Sequence, residues 1–218
     1  MTIKELILKN DDFLEFKCNE HTPFPIYLVG GSLDHLDESI CKLNKTDPVN
    51  GYDHIGMIGK GLLAGENLDA WYLRHAHPPR ASSNELTEEY WRVLLKEHDL
   101  EVWRFKEEVS DEDRLKVIKE SCQIAEFKWN EKKKLYEGIK YNWAAVILSL
   151  LSWVKIGIKA LARHCAEYSF ESNLIIDKVL SKEGKKDVLV TPNEIINSNL
   201  LYRIYTIKLV DGNIVIET

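Results

Sequence analysis

Residues 52–59 read Tyr52-Asp53-His54-Ile55-Gly56-Met57-Ile58-Gly59, a run of β-prone side chains bounded by Gly51 on one side and by Gly59 and Gly61 on the other. Such a run predicts a strand. Leu68 to His77 is strand-like as well, and the two segments are expected to pair as a hairpin across the glycine-containing loop 59–67. Pro78 and Pro79 end that ladder, because proline has no N–H to donate to it. The hairpin brings His54 to a strand end, and strand alternation points His75 and His77 to one face of the second strand.

Away from this hairpin the chain alternates between short strands and helices. Ile3 to Phe16 has apolar runs broken by Lys9 to Asp12, and Phe24 to Val29 is β-prone before Gly30 and Gly31 force a turn. Leu33, Leu36, Ile40 and Leu43 recur at helical spacing. Glu85 to Glu97 predicts a helix and Leu100 to Phe105 a strand. Ser110 with Asp113 three residues later is an N-cap signal, and the helix it opens carries Leu115, Ile118, Cys122 and Ala125 on one face. Tyr141 to Leu161 and Cys165 to Leu180 read as two more helices. Asp187 to Val190, Leu200 to Val210 and Asn213 to Glu217 read as strands, with Asp211-Gly212 as the turn between the last two.

With 218 residues, 44% of them hydrophobic, the chain can bury one sizeable core, and one domain spanning 1–218 is the expected organisation. Its 29 Lys and Arg against 35 Asp and Glu give a formal charge of −6, which provides no global attraction to a phosphate backbone. Nucleic acid is therefore not an expected partner. The one dense basic run, Lys132 to Lys134, lies among acidic residues and reads as a solvated loop or helix end. Cys18, Cys41, Cys122 and Cys165 are widely spaced with no CxxC pair, which suggests reduced thiols in a cytosolic setting. The charged N-terminus lacks the apolar stretch of a secretory signal. The most apolar segment, Ala144 to Ile158, is shorter than the ~20 residues needed to span a bilayer, so a buried helix is expected there and no stable membrane span.

A cysteine attacks only as thiolate, and needs a base or a positive local potential to become one. Cys165 follows Arg163 and His164 and precedes a predicted helix, whose N-terminal dipole favours the thiolate. The same residue is equally readable as a small buried core side chain, and His54 as a turn or core histidine. Cys18, His21, His35 and Cys41 also invite a zinc reading, but their spacing matches no closed tetrahedral pattern.

Four motifs resolve these alternatives by resemblance. Asp53 to Ile58 resembles the "HxGI" strand of permuted papain-like enzymes of the NlpC superfamily, in particular the YiiX-like group, and Cys165-Ala166-Glu167-Tyr168 resembles their "CSEL" segment. Val102-Trp103-Arg104 is similar to the arginine-bearing strand of that family, and Thr191-Pro192-Asn193-Glu194-Ile195 to its "TPxDL" segment. The histidine precedes the cysteine, as in the permuted form. The match covers residues 52–205. Residues 1–50 match poorly, with Gly30-Gly31-Ser32 the nearest counterpart of the family's "GD" segment.

The resemblance implies an α+β, papain-like fold of the permuted NlpC type, with a small antiparallel sheet packed against helices. It implies Cys165 as nucleophile, His54 as base and His75, in Arg74-His75-Ala76-His77, as the residue that orients the base, with His77 and Asp69 as alternatives for that third role. Tyr52 lines the expected substrate or oxyanion site, or packs as an aromatic. The activity implied is cleavage of an amide, ester or thioester bond through an acyl-enzyme, on a peptide, a peptidoglycan fragment or a lipid acyl group, with no cofactor and no metal. The competing expectation is a catalytically silent structural or binding protein that keeps the fold, such as a component of a virus particle, and a zinc-stabilised adaptor ranks third. The matching locations are cytoplasmic or virion-associated, and the oligomeric state stays open.

Overall fold

The structure, a computed structural model, describes residues 2–18, 52–77, 80–140, 165–178, 180, 192–196 and 198–218. Among the described residues nine strands form one sheet: β1 (Asp12–Cys18), β2 (Tyr52–Lys60), β3 (Trp71–His77), β4 (Arg80–Glu85), β5 (His98–Phe105), β6 (Lys128–Asn130), β7 (Leu135–Lys140), β8 (Leu201–Val210) and β9 (Asn213–Glu217). Their order is β6-β7-β4-β3-β2-β1-β5-β8-β9, and every neighbouring pair is antiparallel. The α+β expectation is thus met in its coarse form, but the sheet is large, not small. The difference comes from β4, β6 and β7, polar segments whose place in a sheet local apolar patterning does not announce.

Among the described residues four α-helices accompany the sheet: α1 (Glu88–Leu94), α2 (Asp111–Ala125), α3 (Cys165–Asn173) and α4 (Pro192–Ile196). Apolar side chains on the two faces form separate clusters, so the central strands are covered on both sides. On one face Phe13, Ile55, Met57, Ala76 and Ala81 pack with Val117, Ile118 and Ala125 of α2, Tyr168 of α3 and Ile195 of α4. On the other, Leu14, Phe16, Ile58, Leu73, Leu100 and Val102 pack with Leu6 and with Trp91 and Leu95 at α1. Alternation along β2 explains the division, since Ile55 and Met57 point one way and His54, Gly56 and Ile58 the other.

The β2–β3 hairpin forms as expected, pairing Ile58 with Leu73 and Met57 with Arg74. The sheet continues beyond β3, with β4 pairing antiparallel to it, His75 with Ser82 and Leu73 with Asn84. Pro78 and Pro79, expected to end the ladder, lie outside the described residues, and the helix expected over 85–97 is confined to 88–94. Ser110 caps α2, its Oγ accepting from Asp113 N at 3.1 Å. Asp211 and Gly212 both take positive φ, 50° and 75°, as a tight turn between β8 and β9 requires. Residues 131–134 turn between β6 and β7, with Lys133 donating to Glu137 at 2.5 Å, so the basic run is an exposed loop. Helix α3 ends at Asn173, and residues 174–176 continue as one 3-10 turn. The segments expected over Phe24–Val29, Leu33–Leu43, Tyr141–Leu161 and Asp187–Val190 lie outside the described residues. Among the described residues no helix is long and apolar enough to cross a membrane.

Candidate functional site

His54 sits three residues into β2 and His75 five residues into β3, both on the face of the sheet that carries Phe16. Phe16 pairs with His54 in the β1–β2 register. Its ring lies edge-on to His54, with centroids 4.8 Å apart, and parallel to His75 at 6.2 Å. Between the two histidines the backbone of Gly56 leaves the needed room. A Cβ there would stand 2.9 Å from His75 Cβ and 2.6 Å from Leu73 Cδ1. With that space open, His54 Nε2 and His75 Nδ1 approach to 2.6 Å and share one hydrogen bond.

The chain of contacts continues onto β4. Asn84 Nδ2 lies 3.5 Å from His75 Nε2 and 2.7 Å from Ser82 Oγ. His75 and Ser82 are each only 4% exposed, so the inner end of the chain is shielded from water while His54 is half-buried. An imidazole pair anchored at its buried end can hold the outer ring in one orientation and stabilise it when it takes up a proton.

On the opposite face the same hairpin is fastened by a buried ion pair. Arg74, fully buried, donates through Nη2 to Glu66 Oε2 at 2.6 Å and to the carbonyl of Lys60 at 3.2 Å. Glu66 also accepts from the backbone N–H of Leu62 and Leu63, at 2.7 and 3.0 Å, and from Ser83 Oγ at 2.7 Å. One carboxylate thus closes the 61–70 loop and ties β3 to β4. The Cys122 thiol of α2 lies beside this pair; burial pushes its pKa up and the Arg74 charge opposes the rise.

Of the residues singled out in the sequence, the structure brings His54 and His75 into contact. Asp69 lies exposed in the 61–70 loop, where its N–H donates to Asn67 Oδ1 and its carbonyl accepts from Lys60 Nζ. His77 closes β3 and Tyr52 opens β2, but their side chains lie outside the described set, as do Asp53 and the thiol of Cys165. Cys165 is the first described residue of α3. That helix covers the Ile55 and Met57 face: Tyr168 donates to Ser121 O at 3.0 Å, and Asn173 Nδ2 reaches Met57 Sδ at 3.8 Å. The imidazoles project from the other face. Of the four residues in the zinc reading, Cys18 ends β1, and His21, His35 and Cys41 lie outside the described residues.

Sequence reading missed Asn84 and Ser82. A usable signal was present: in two antiparallel strands this close in sequence, residues equidistant from the midpoint between them pair, which places Ser82 opposite His75.

No protein-family profile matches the chain, and no curated protein matches it significantly. Among solved structures, the crystal structure of metalloprotein YiiX from Escherichia coli O157:H7 is similar, with a TM-score of 0.53 and 14% identity, over 90% of this chain and 96% of that one. At that identity the likeness is one of backbone architecture: the chain has a YiiX-like fold.

Proposed function

We propose that the protein is a thiol-dependent hydrolase or acyltransferase of the permuted papain-like, NlpC-superfamily kind, acting through Cys165 with His54 as base and His75 as its orienting partner. The observation that carries this reading is the 2.6 Å bond between His54 Nε2 and His75 Nδ1, two rings that alternation and register set side by side near the start of a strand. In this reading His75 holds the His54 ring through Nε2, and His54 takes the thiol proton. The thiolate then attacks the carbonyl carbon of an amide, ester or thioester. The tetrahedral intermediate collapses as the leaving group departs with the proton from His54. Water next gives a proton to His54 and attacks the acyl-enzyme, and the thiol leaves reprotonated. Backbone N–H groups at the start of α3 suit the transient oxyanion. Peptides, peptidoglycan fragments and lipid acyl groups are the substrate classes in view.

YiiX is described as a metalloprotein. The imidazole pair here does not fit a shared metal. Bonds of ~2.0–2.1 Å hold two nitrogens in a tetrahedral shell more than about 3 Å apart, against 2.6 Å between these two. Among the described residues no three His, Cys, Asp or Glu side chains converge on a metal position.

A silent protein of the same fold is the second reading. It is favoured by the placement of α3 on the face away from the imidazoles. Alkylation separates the two. Iodoacetamide at neutral pH, with the modified peptide read by mass spectrometry, is expected to label Cys165 at least tenfold faster than Cys122. His54→Gln is expected to remove that advantage. Equal rates for the two thiols, or a Cys165 rate indifferent to His54→Gln, would leave the silent reading standing.

A further inference from the structure

We infer that β9 joins two copies of this chain edge to edge, the two strands running antiparallel about a two-fold axis at Val215. Among the described residues β6 and β9 end the sheet. The two edges differ in kind. β6 is three residues long, carries Lys128 and runs into the exposed loop that holds Lys132 to Lys134. Short, lysine-bearing edges resist pairing with another chain. β9 reads Asn213-Ile214-Val215-Ile216-Glu217, with three β-branched apolar residues in succession and neither lysine nor proline. Val215 is 37% exposed, and Ile214 and Ile216 are only half-buried.

The turn before β9 decides which of its backbone groups face outward. Asp211 and Gly212 both take positive φ, the mark of a two-residue primed turn, and Val210 pairs with Asn213 across it. That pair exchanges hydrogen bonds, and by alternation so do Lys208 with Val215 and Thr206 with Glu217. Ile214 and Ile216 therefore turn their N–H and C=O groups away from β8, toward the edge. In a pairing centred on Val215, Ile214 stands opposite Ile216 of the second copy. Every outward N–H and C=O of the two strands then meets a partner.

The side chains favour the same register. Ile207 pairs with Ile216 and Leu209 with Ile214 on the face of the α1 cluster, and the second copy's Ile214 and Ile216 extend that apolar row across the axis. On the opposite face Val215 meets its own copy in a non-hydrogen-bonded pair, where side chains approach most closely. Asn213 stands opposite Glu217 of the second copy, so each carboxylate faces an amide and the two carboxylates lie at opposite ends. A second copy thus supplies the complement of this edge from its own sequence. Each chain has one such edge, so the pairing closes at two. β1, β5 and β8 lie between β9 and β2, which keeps the contact away from the imidazole pair.

Sedimentation velocity of the full-length chain, from low micromolar to several hundred micromolar, is expected to show the mass rising toward twofold. The contact is small, and small contacts associate weakly. Over the same range, amide exchange followed by NMR is expected to slow severalfold at Ile214 and Ile216 and to stay constant in β6. Val215→Glu gains Lys208 as a cross-strand partner within its own chain but sets two carboxylates face to face at the axis. It is expected to weaken association at least tenfold. Val215→Thr, β-branched and uncharged, stays within about threefold of the parent. Ile216→Pro removes an outward N–H without touching the β8 ladder, and weakens association as well. A chain that stays monomeric throughout the range overturns the inference. So does association beyond twofold mass, a dimer that survives folded Val215→Glu, or exchange at Ile214 and Ile216 that ignores concentration. The two measurements on the parent chain decide the question even where a variant fails to fold.

Discussion

Replacing Gly56 by alanine adds one methyl group between β2 and β3, on the face that carries the imidazoles. The new Cβ would lie 2.6 Å from Leu73 Cδ1, 2.9 Å from His75 Cβ and 3.3 Å from the Arg74 carbonyl oxygen. Leu73 can turn its terminal methyl away, but His75 Cβ is fixed to the backbone of a central strand. Carbon atoms in ordinary contact stand ≈ 3.5–4.0 Å apart, so β3 has to retreat by about 0.6 Å or more. That carries His75 Nδ1 from 2.6 Å to roughly 3.2 Å from His54 Nε2, the outer edge of a normal hydrogen bond. Overpacking of this kind costs about 1–3 kcal/mol. Alanine also stiffens the unfolded chain, an offset of at most about 1 kcal/mol. A net loss in the middle of that range, about 1–2 kcal/mol, corresponds to a fall in Tm of about 2–8 °C for a chain of this size. Thermal and urea melts measure the stability, and the nitrogen shifts of the two rings report the weakened bond. A Tm within a degree of the parent, together with unchanged ring shifts, would refute the claim that Gly56 is required for the imidazoles to meet.

Two further outcomes follow from buried charge. Arg74→Met leaves Glu66 with its backbone and Ser83 donors but no cation, in a pair whose side chains are 0% and 2% exposed. Urea midpoints should show a loss of about 3–5 kcal/mol, partly recovered in the double variant with Glu66→Gln, and a loss below about 1 kcal/mol contradicts this account. Asp11 is fully buried, and desolvation raises its pKa well above the usual carboxylate value, with Arg114 opposing and Asp12 adding to the rise. A raised native pKa means that the stabilisation is complete below the unfolded pKa and is lost as pH climbs through the native value. Asp11→Asn carries no such charge and suits the left-handed backbone at φ 63°. Its urea midpoint should therefore gain on the parent as pH rises; a difference that is constant or shrinks with pH would show that Asp11 is not the titrating group.

Helix α2 shows where local pattern reaches its limit. Spacing predicts a buried face of Leu115, Ile118, Cys122 and Ala125, whereas the face that packs is Arg114, Val117, Ile118, Ser121 and Ala125. The helix and its cap are as expected, but its rotation is set by Arg114, whose guanidinium turns inward to the carbonyls of Val109 and Asn10 at 3.2 and 3.1 Å. No apolar count predicts a buried arginine, because its burial depends on carbonyls supplied from distant positions. The same holds for β4, where Ser82, Ser83 and Asn84 are drawn inside only because His75 and Glu66 wait there as partners.

Residues 52–59, 68–77, 100–105, 200–210 and 213–217 announce themselves as strands in their own composition, and the Ser110 cap and the Asp211-Gly212 turn are written in a few adjacent residues. These are local properties: alternation, capping and turn chemistry need no knowledge of the rest of the chain. Alternation puts His75 and His77 on one face, and the resemblance of Arg74-His75-Ala76-His77 to the family segment is what singled out His75. Bringing His75 within 2.6 Å of His54 took strand register and the space at Gly56, and finding Asn84 took a third paired strand. Those choices belong to tertiary structure, because a hydrogen bond of 2.6 Å between residues 21 positions apart exists only after the strands have paired.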